Sequence, residues 1–272
     1  ASLSSKMAEH KNTPPLGASY KIEAMRAMDF VVEKAGGADK VKAGIVYQQD
    51  DYGTDGLNGW KRAAKKHGVT IVSEQTVAPG QKDFAAVVMA LKKAGATHVL
   101  LTVLPSATGP ILGTAAKLQY GPMWIGNTPA WIDFFFSPKV IPAAVFQNFY
   151  WVQGLPFWGE KVPGMDRLLK AWAAWAKKNP GARPDFYVLT SYIQGLAALE
   201  VVKRGIETGD ITRAGFMKAL KTLKGYTAGG MIQPLDLSKL PYVTGTKTRV
   251  LKPVMNKATW TVAADYAQPK SL

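Results

Sequence analysis

The alternation of apolar runs and amphipathic stretches between residues 42 and 101 admits few architectures. Residues 42–47 are a short apolar run, and residues 48–56 (QQDDYGTDG) are polar and punctuated by glycine. Residues 57–67 then set Leu57, Trp60, Ala63 and Ala64 on one helical face and Lys61, Arg62, Lys65 and Lys66 on the other. Gly68 stops that helix. A second β-branched run (69–72), a turn (78–83), a helix (84–93) and a third strand (98–103) follow. Parallel strands need long crossovers, and amphipathic helices of this length supply them, so the pattern predicts an α/β chain with a parallel sheet. In such sheets solutes sit where loops leave the C-terminal ends of the strands. The loop expected to hold Asp51, Tyr52 and Gly53 is therefore the first candidate site.

The remaining sequence extends the pattern. Residues 20–34 read as an amphipathic helix, with Ile22, Met25, Ala27, Met28, Val31 and Val32 inward, ended by Gly36-Gly37. After a helix at 106–119 and a short strand at 122–125 comes an aromatic-rich loop, 126–137 (GNTPAWIDFFFS). A strand is expected at 145–152 and helices at 166–178, 184–205 and 212–223, the last with Thr212 as its N-cap. Closing strands are expected at 226–234, 248–254 and 258–263.

Bulk properties narrow the function classes. Zero cysteines exclude disulfides and thiolate metal sites. The net charge of +15 is spread over helix faces, with no run of five basic residues and no nucleic-acid motif, so no nucleic-acid partner is expected. No apolar run reaches the roughly 18–20 residues needed to span a bilayer. The N-terminal residues also lack a signal-peptide apolar core, so an exported protein would have lost its signal. Catalytic chemistry finds no support. His10, His67 and His98 lie in unrelated contexts, and the adjacent Asp50 and Asp51 diverge and cannot face each other as an acid/base pair. Walker A and Gly-x-Gly-x-x-Gly loops are missing. The expectation is a protein that is not an enzyme, with no catalytic residue, metal or cofactor.

A small-molecule site combines an apolar cleft with a few fixed polar groups. The candidates are Ser2 and its neighbour Ala1, Tyr52, the Leu104-Pro105-Ser106 loop, Thr128, Trp131 and Tyr192. The competing reading is that Tyr52 packs its loop and that Trp131, with Phe134, Phe135 and Phe136, is ordinary core.

The run IVYQQDDYGTDG, followed after the next strand by VAPGQKDF, resembles the branched-chain amino-acid (Leu/Ile/Val-binding) type of periplasmic substrate-binding protein. The shared motifs are Asp51-Tyr52-Gly53 and Gly80-Gln81-Lys82-Asp83-Phe84. The resemblance implies a type-I periplasmic binding protein fold: two doubly wound parallel-sheet lobes and a three-strand hinge near residues 40, 150 and 225–230. Lobe 1 would comprise residues 1–40 and 150–226, and lobe 2 residues 41–149 and 227–272. Family members carry further first-lobe strands on the N-terminal side, so the first lobe is expected to be incomplete. The expectation is a fragment, a protein given only in part, or a variant completed by another chain.

The implied function is the extracytoplasmic, periplasmic solute-binding component of an ABC importer, which captures a small-molecule ligand between the lobes and docks on a membrane permease. The resemblance places Ala1-Ser2 at the ligand carboxylate and Tyr52 as a contact from the second lobe. One departure bears on the ligand. Amino-acid binders present an acidic residue after the strand corresponding to PMWIG, whereas here Gly126-Asn127-Thr128-Pro129-Ala130-Trp131 holds no carboxylate before Asp133. A desolvated ammonium needs a carboxylate or several acceptors. Either Asp133 reaches in, or the ligand is a related carboxylate without an ammonium. The alternative function is a ligand-sensing regulatory domain of the same fold, binding an amide or an aromatic acid.

Overall fold

A computed structural model describes residues 3–272, which divide into two compact units. One unit comprises Ala18–Gly154 and Thr246–Leu272. It opens with helix α1 (Tyr20–Ala35), whose N-cap Ser19 accepts the Ile22 N–H, and which ends at Gly36 with a left-handed φ of 74°. Strand β1 (Lys42–Gln48), helix α2 (Asp51–His67), strand β2 (Thr70–Val77), helix α3 (Ala85–Lys93) and strand β3 (His98–Thr102) follow. Helix α4 (Pro105–Lys117), strand β4 (Met123–Gly126) and strand β5 (Phe149–Gln153) complete this pass.

The chain then builds the second unit, Leu155–Gly245 together with the segment ending at Gly17. It contains α5 (Met165–Ala176), α6 (Phe186–Glu207), α7 (Arg213–Lys221) and the short antiparallel pair β6 (Lys224–Tyr226) and β7 (Leu235–Asp236). The Asp185 side chain caps α6 through the Tyr187 N–H at 2.7 Å, and Thr212 caps α7 through Gly215 N–H at 3.1 Å. Helix α6 buries Phe186, Leu189, Ile193 and Ala197, while Leu199 and Ile206 on the same helix are exposed. The chain returns to the first unit for β8 (Thr248–Val254) and β9 (Thr259–Ala267).

The large sheet has the order β2-β1-β3-β4-β5-β8-β9. Its first five strands are parallel, and β8 and β9 add antiparallel to the edge at β5. Strand alternation divides the core. Ala43, Ile45, Leu100, Ile125, Tyr150 and Val152 face α1 and α2, which contribute Ala24, Ala27, Met28, Val31, Trp60 and Ala63. On the opposite face Gly44 lies against Leu91 of α3, and Trp131, Phe149, Trp151 and Trp260 cluster in tilted and edge-on pairs at centroid distances of 4.6–6.4 Å. Two apolar faces, each covered, explain why the parallel strands read as near-continuous apolar runs.

Several boundaries differ from the sequence reading for local reasons. Residues 51–56 are not loop but the opening of α2, because Asp50 Oδ1 accepts the Gly53 N–H at 2.9 Å and caps the helix. The glycines that suggested a loop serve close approach. A Cβ at Gly53 would collide with the Gln48 backbone, and one at Gly56 would come within 2.6 Å of Thr102 Oγ1. Residues 143–146 are a 3₁₀ turn rather than the start of β5. The chain divides after Gly17, Gly154 and Gly245, so the middle division lies near the expected 150 while the outer two lie away from 40 and 226. Helix α1 joins the sheet unit because its apolar stripe packs on α2 and the strands, and because Lys21 N–H is held by Asp55 of α2 at 2.9 Å. Residues 227–245 join the helical unit through Gly164 N–H to the Gly229 carbonyl (2.7 Å) and Tyr242 N–H to the Ala8 carbonyl (2.7 Å).

Candidate functional site

The parallel order β2-β1-β3-β4-β5 reverses direction between β1 and β3, and the crevice beyond the C-terminal ends of strands at such a switch point is where doubly wound sheets bind ligands. Four of the residues singled out from the sequence lie at those ends or on the turns leaving them. Tyr52 is in the first turn of α2, Leu104 and Pro105 are the N-cap and first residue of α4, and Thr128 follows β4.

A polar network ties these ends together. The Tyr52 hydroxyl donates to Asn127 Oδ1 at 2.6 Å and lies 3.3 Å from the Val103 carbonyl. Asn127 Nδ2 reaches Thr102 Oγ1 at 3.3 Å, and Trp151 Nε1 donates to the carbonyls of Asn127 and Thr128 at 3.2 and 3.1 Å. The Tyr52 ring meets Tyr20 edge-on at 4.7 Å. Tyr52 thus locks the turns after β1, β3 and β4 to one another. Beside them Leu104 is 41% exposed, which gives the strand ends an apolar surface.

Thr128 is held from α1. Its N–H donates to Glu23 Oε2 at 2.8 Å, and its Oγ1 is 2.5 Å from Glu23 Oε1. Glu23 is fully buried, and that burial, with the negative field of Asp55 as a lesser contribution, pushes its carboxyl up to about 8 against the pull of the two Thr128 hydrogen bonds. Sequence reasoning missed Glu23, Asn127 and Asp55. The available signal was Glu23 itself, an acid on the helical stripe of Tyr20, Ala24, Ala27 and Val31.

Trp131 is fully buried and central to the aromatic cluster on the second sheet face, with Phe135, Phe146, Phe149 and Trp260 around it. Its Nε1 donates to Asp133 Oδ1 at 2.9 Å, so that carboxylate oxygen is engaged by the indole. Phe134 is exposed and Phe135 buried. Tyr192 lies half-buried on α6 in the other unit, and Ala1 and Ser2 fall outside the described residues. No helix among the described residues is long and apolar enough to cross a membrane.

Residues 1–240 match the protein family described as Periplasmic binding protein. No curated protein matches the chain. Among solved structures, the fatty acid ABC transporter substrate-binding protein from Thermomonospora curvata aligns with a TM-score of 0.86 and 20% identity, over 100% of this chain and 68% of that one. A substrate-binding periplasmic protein from Ralstonia solanacearum gives 0.81 and 17%, over 98% and 71%. A branched chain amino acid ABC transporter protein from Thermus thermophilus with bound valine gives 0.79 and 16%, over 100% and 72%. Identities this low speak to the fold alone, and the fold is that of the type-I periplasmic binding proteins. With the family matched over residues 1–240 and the fold shared along the sequence, the chain belongs to the periplasmic binding protein family.

Proposed function

We propose that this chain is the extracytoplasmic solute-binding component of an ABC importer, capturing a small hydrophobic amino acid or a related carboxylate and presenting it to a membrane permease. The observation that carries this reading is the family match over residues 1–240. The strand-end geometry supports it: polar groups of Tyr52, Asn127 and Thr128 converge beside the exposed Leu104, the mixture a small amphiphilic solute requires. Valine and a fatty acid, the solutes named for two of the similar structures, share a carboxylate and an apolar body. The proposed contacts are Tyr52, Leu104, Pro105 and Thr128, with Trp131 as a rigid apolar support beneath the β4 turn. Ala1, Ser2 and Tyr192 complete the proposed set.

The test is a thermal-shift screen of the purified chain against valine, leucine, benzoate, octanoate, amides and sugars. A solute that binds only the native state at about a hundred times its Kd adds about 2.7 kcal/mol, a rise of several degrees in Tm for a protein of this size. A saturable rise with one of the carboxylates or amino acids is expected. No rise with any of them, or chemical turnover of a bound one, overturns the reading.

A further inference from the structure

Thr128, two residues beyond β4, is gripped from α1 by both of its polar handles, its N–H and its hydroxyl, across 105 positions of sequence. The grip has a chemical consequence. An ionised carboxylate only accepts hydrogen bonds, so it takes the hydroxyl hydrogen of Thr128 and leaves that oxygen with lone pairs alone. A protonated carboxyl accepts the Thr128 N–H on one oxygen and donates its own O–H to Thr128 Oγ1 from the other. The threonine hydrogen is then released. The two forms present opposite hydrogen-bonding faces from the same side chain.

Burial and charge around Glu23 favour the protonated form. From α2, Asp55 faces it with a negative field, while from the β4 turn the two Thr128 hydrogen bonds pull the other way without offsetting the burial. Desolvation is the largest influence, and together these effects keep the proton on Glu23 up to about pH 8.

We propose that Glu23 is a positioning residue that acts through Thr128, making its hydroxyl a hydrogen-bond donor toward solute, and that the solute accordingly offers Thr128 a carboxylate or carbonyl oxygen and not an ammonium. This rests on the reading above, in which Thr128 contacts the solute. It also accounts for the β4 turn lacking a carboxylate before Asp133, whose Oδ1 is engaged by the Trp131 indole.

The experiment has two parts, so that each claim fails separately. In the solute-free protein, the Thr128 amide resonance is followed from pH 6 to 9.5 in the parent and in Glu23→Gln, a neutral isostere of the protonated acid. A titration with a midpoint near 8 is expected in the parent and none in the variant. A flat parent profile overturns the protonation change at Glu23 and with it the switch in the Thr128 hydroxyl.

Calorimetric titrations then use benzoate, which has no amine, and valine. Benzoate is expected to bind more tightly than valine at pH 6.5. Its affinity should fall about tenfold by pH 9.3 in the parent, the scale of one hydrogen bond to a charged group, and hold steady in Glu23→Gln. Parallel pH profiles in the two proteins overturn the donor role, and tighter binding of valine overturns the solute class drawn from it. A titrating amide with no binding of either probe overturns the solute reading of Thr128 and the solute class drawn from it, and leaves the grip standing.

Discussion

Helix α1 buries two carboxyls, and their surroundings differ in kind. Asp29 meets His67 Nε2 at 2.6 Å through one oxygen and accepts the Lys270 N–H at 2.8 Å through the other. It joins α1 to the last turn of α2 and to the C-terminal segment, toward the edge of the sheet where strands begin. Glu23 lies at the opposite edge, where strands end, and its partners are the amide and hydroxyl of Thr128 with the acid Asp55 nearby. A buried acid facing a basic ring and a backbone donor is a structural tie. A buried acid beside a like charge, with only neutral donors to offset its desolvation, is poised to hold a proton. The contrast separates a stabilising edge from the edge that carries the candidate chemistry.

The widest separation between the two acids is expected in the pH dependence of stability. The folded-state carboxyl of Glu23 is raised from 4.5 to about 8, so the native state keeps a proton that the unfolded chain releases. Its contribution is fully present below about pH 4.5, is lost as pH rises toward about 8, and is constant above that. Glu23→Gln cannot lose a proton. Relative to the parent it is expected to gain a few kcal/mol between pH 5 and 8.5, measured by urea unfolding along a pH series. A constant difference between the two proteins over that range would remove the distinction between the acids.

Asp29→Ala tests the other side of the contrast at a single pH. The substitution leaves His67 and the Lys270 N–H without the acceptor that joins them. Leaving buried hydrogen-bonding groups without their acceptor costs about 2–3 kcal/mol, read as a lower urea midpoint with an unchanged slope. Binding of whichever solute the screen identifies should persist in the folded variant, because Asp29 lies away from the strand ends. Full stability with lost binding would reverse the assignment of the two edges.

How legible these two edges were depends on how far apart in sequence their partners lie. The βαβ alternation was readable because strand and helix periods are local, and Gly36 and Gly68 marked helix ends correctly. The start of α2 was not. Gly53 and Gly56 resemble loop punctuation until Gln48 and Thr102 are seen against them, and that contact is made by the tertiary fold. Glu23 was passed over because Thr128, which explains a buried acid on the apolar stripe of α1, lies 105 positions away. The unit boundary at Gly17 escaped for a similar reason, since α1 is assigned by what it packs on. The Asp-Tyr-Gly motif lies at the edge of the sheet where strands end, and the fold gives its tyrosine hydroxyl a bracing role that the motif alone does not reveal.

That bracing role gives the smallest of the expected effects and the finest test of the contrast. Tyr52→Phe keeps the buried ring and its contact with Tyr20 but deletes the hydroxyl that joins Asn127 Oδ1 to the Val103 carbonyl. Asn127 sits in a buried network with Thr102, and Trp151 bonds its backbone carbonyl, so the loss falls on an acceptor that water reaches poorly. The expected cost is about 1–2 kcal/mol by urea unfolding, the scale of one buried polar group left without its donor. The turn bearing Thr128 should also loosen, since Asn127 precedes it, and hydrogen exchange at the Thr128 amide should quicken more than at the Lys270 amide held by Asp29. Equal acceleration at both amides would mean that Tyr52 supports the unit as a whole. A selective effect at Thr128 would show that the edge where strands end is braced independently of the edge where they begin.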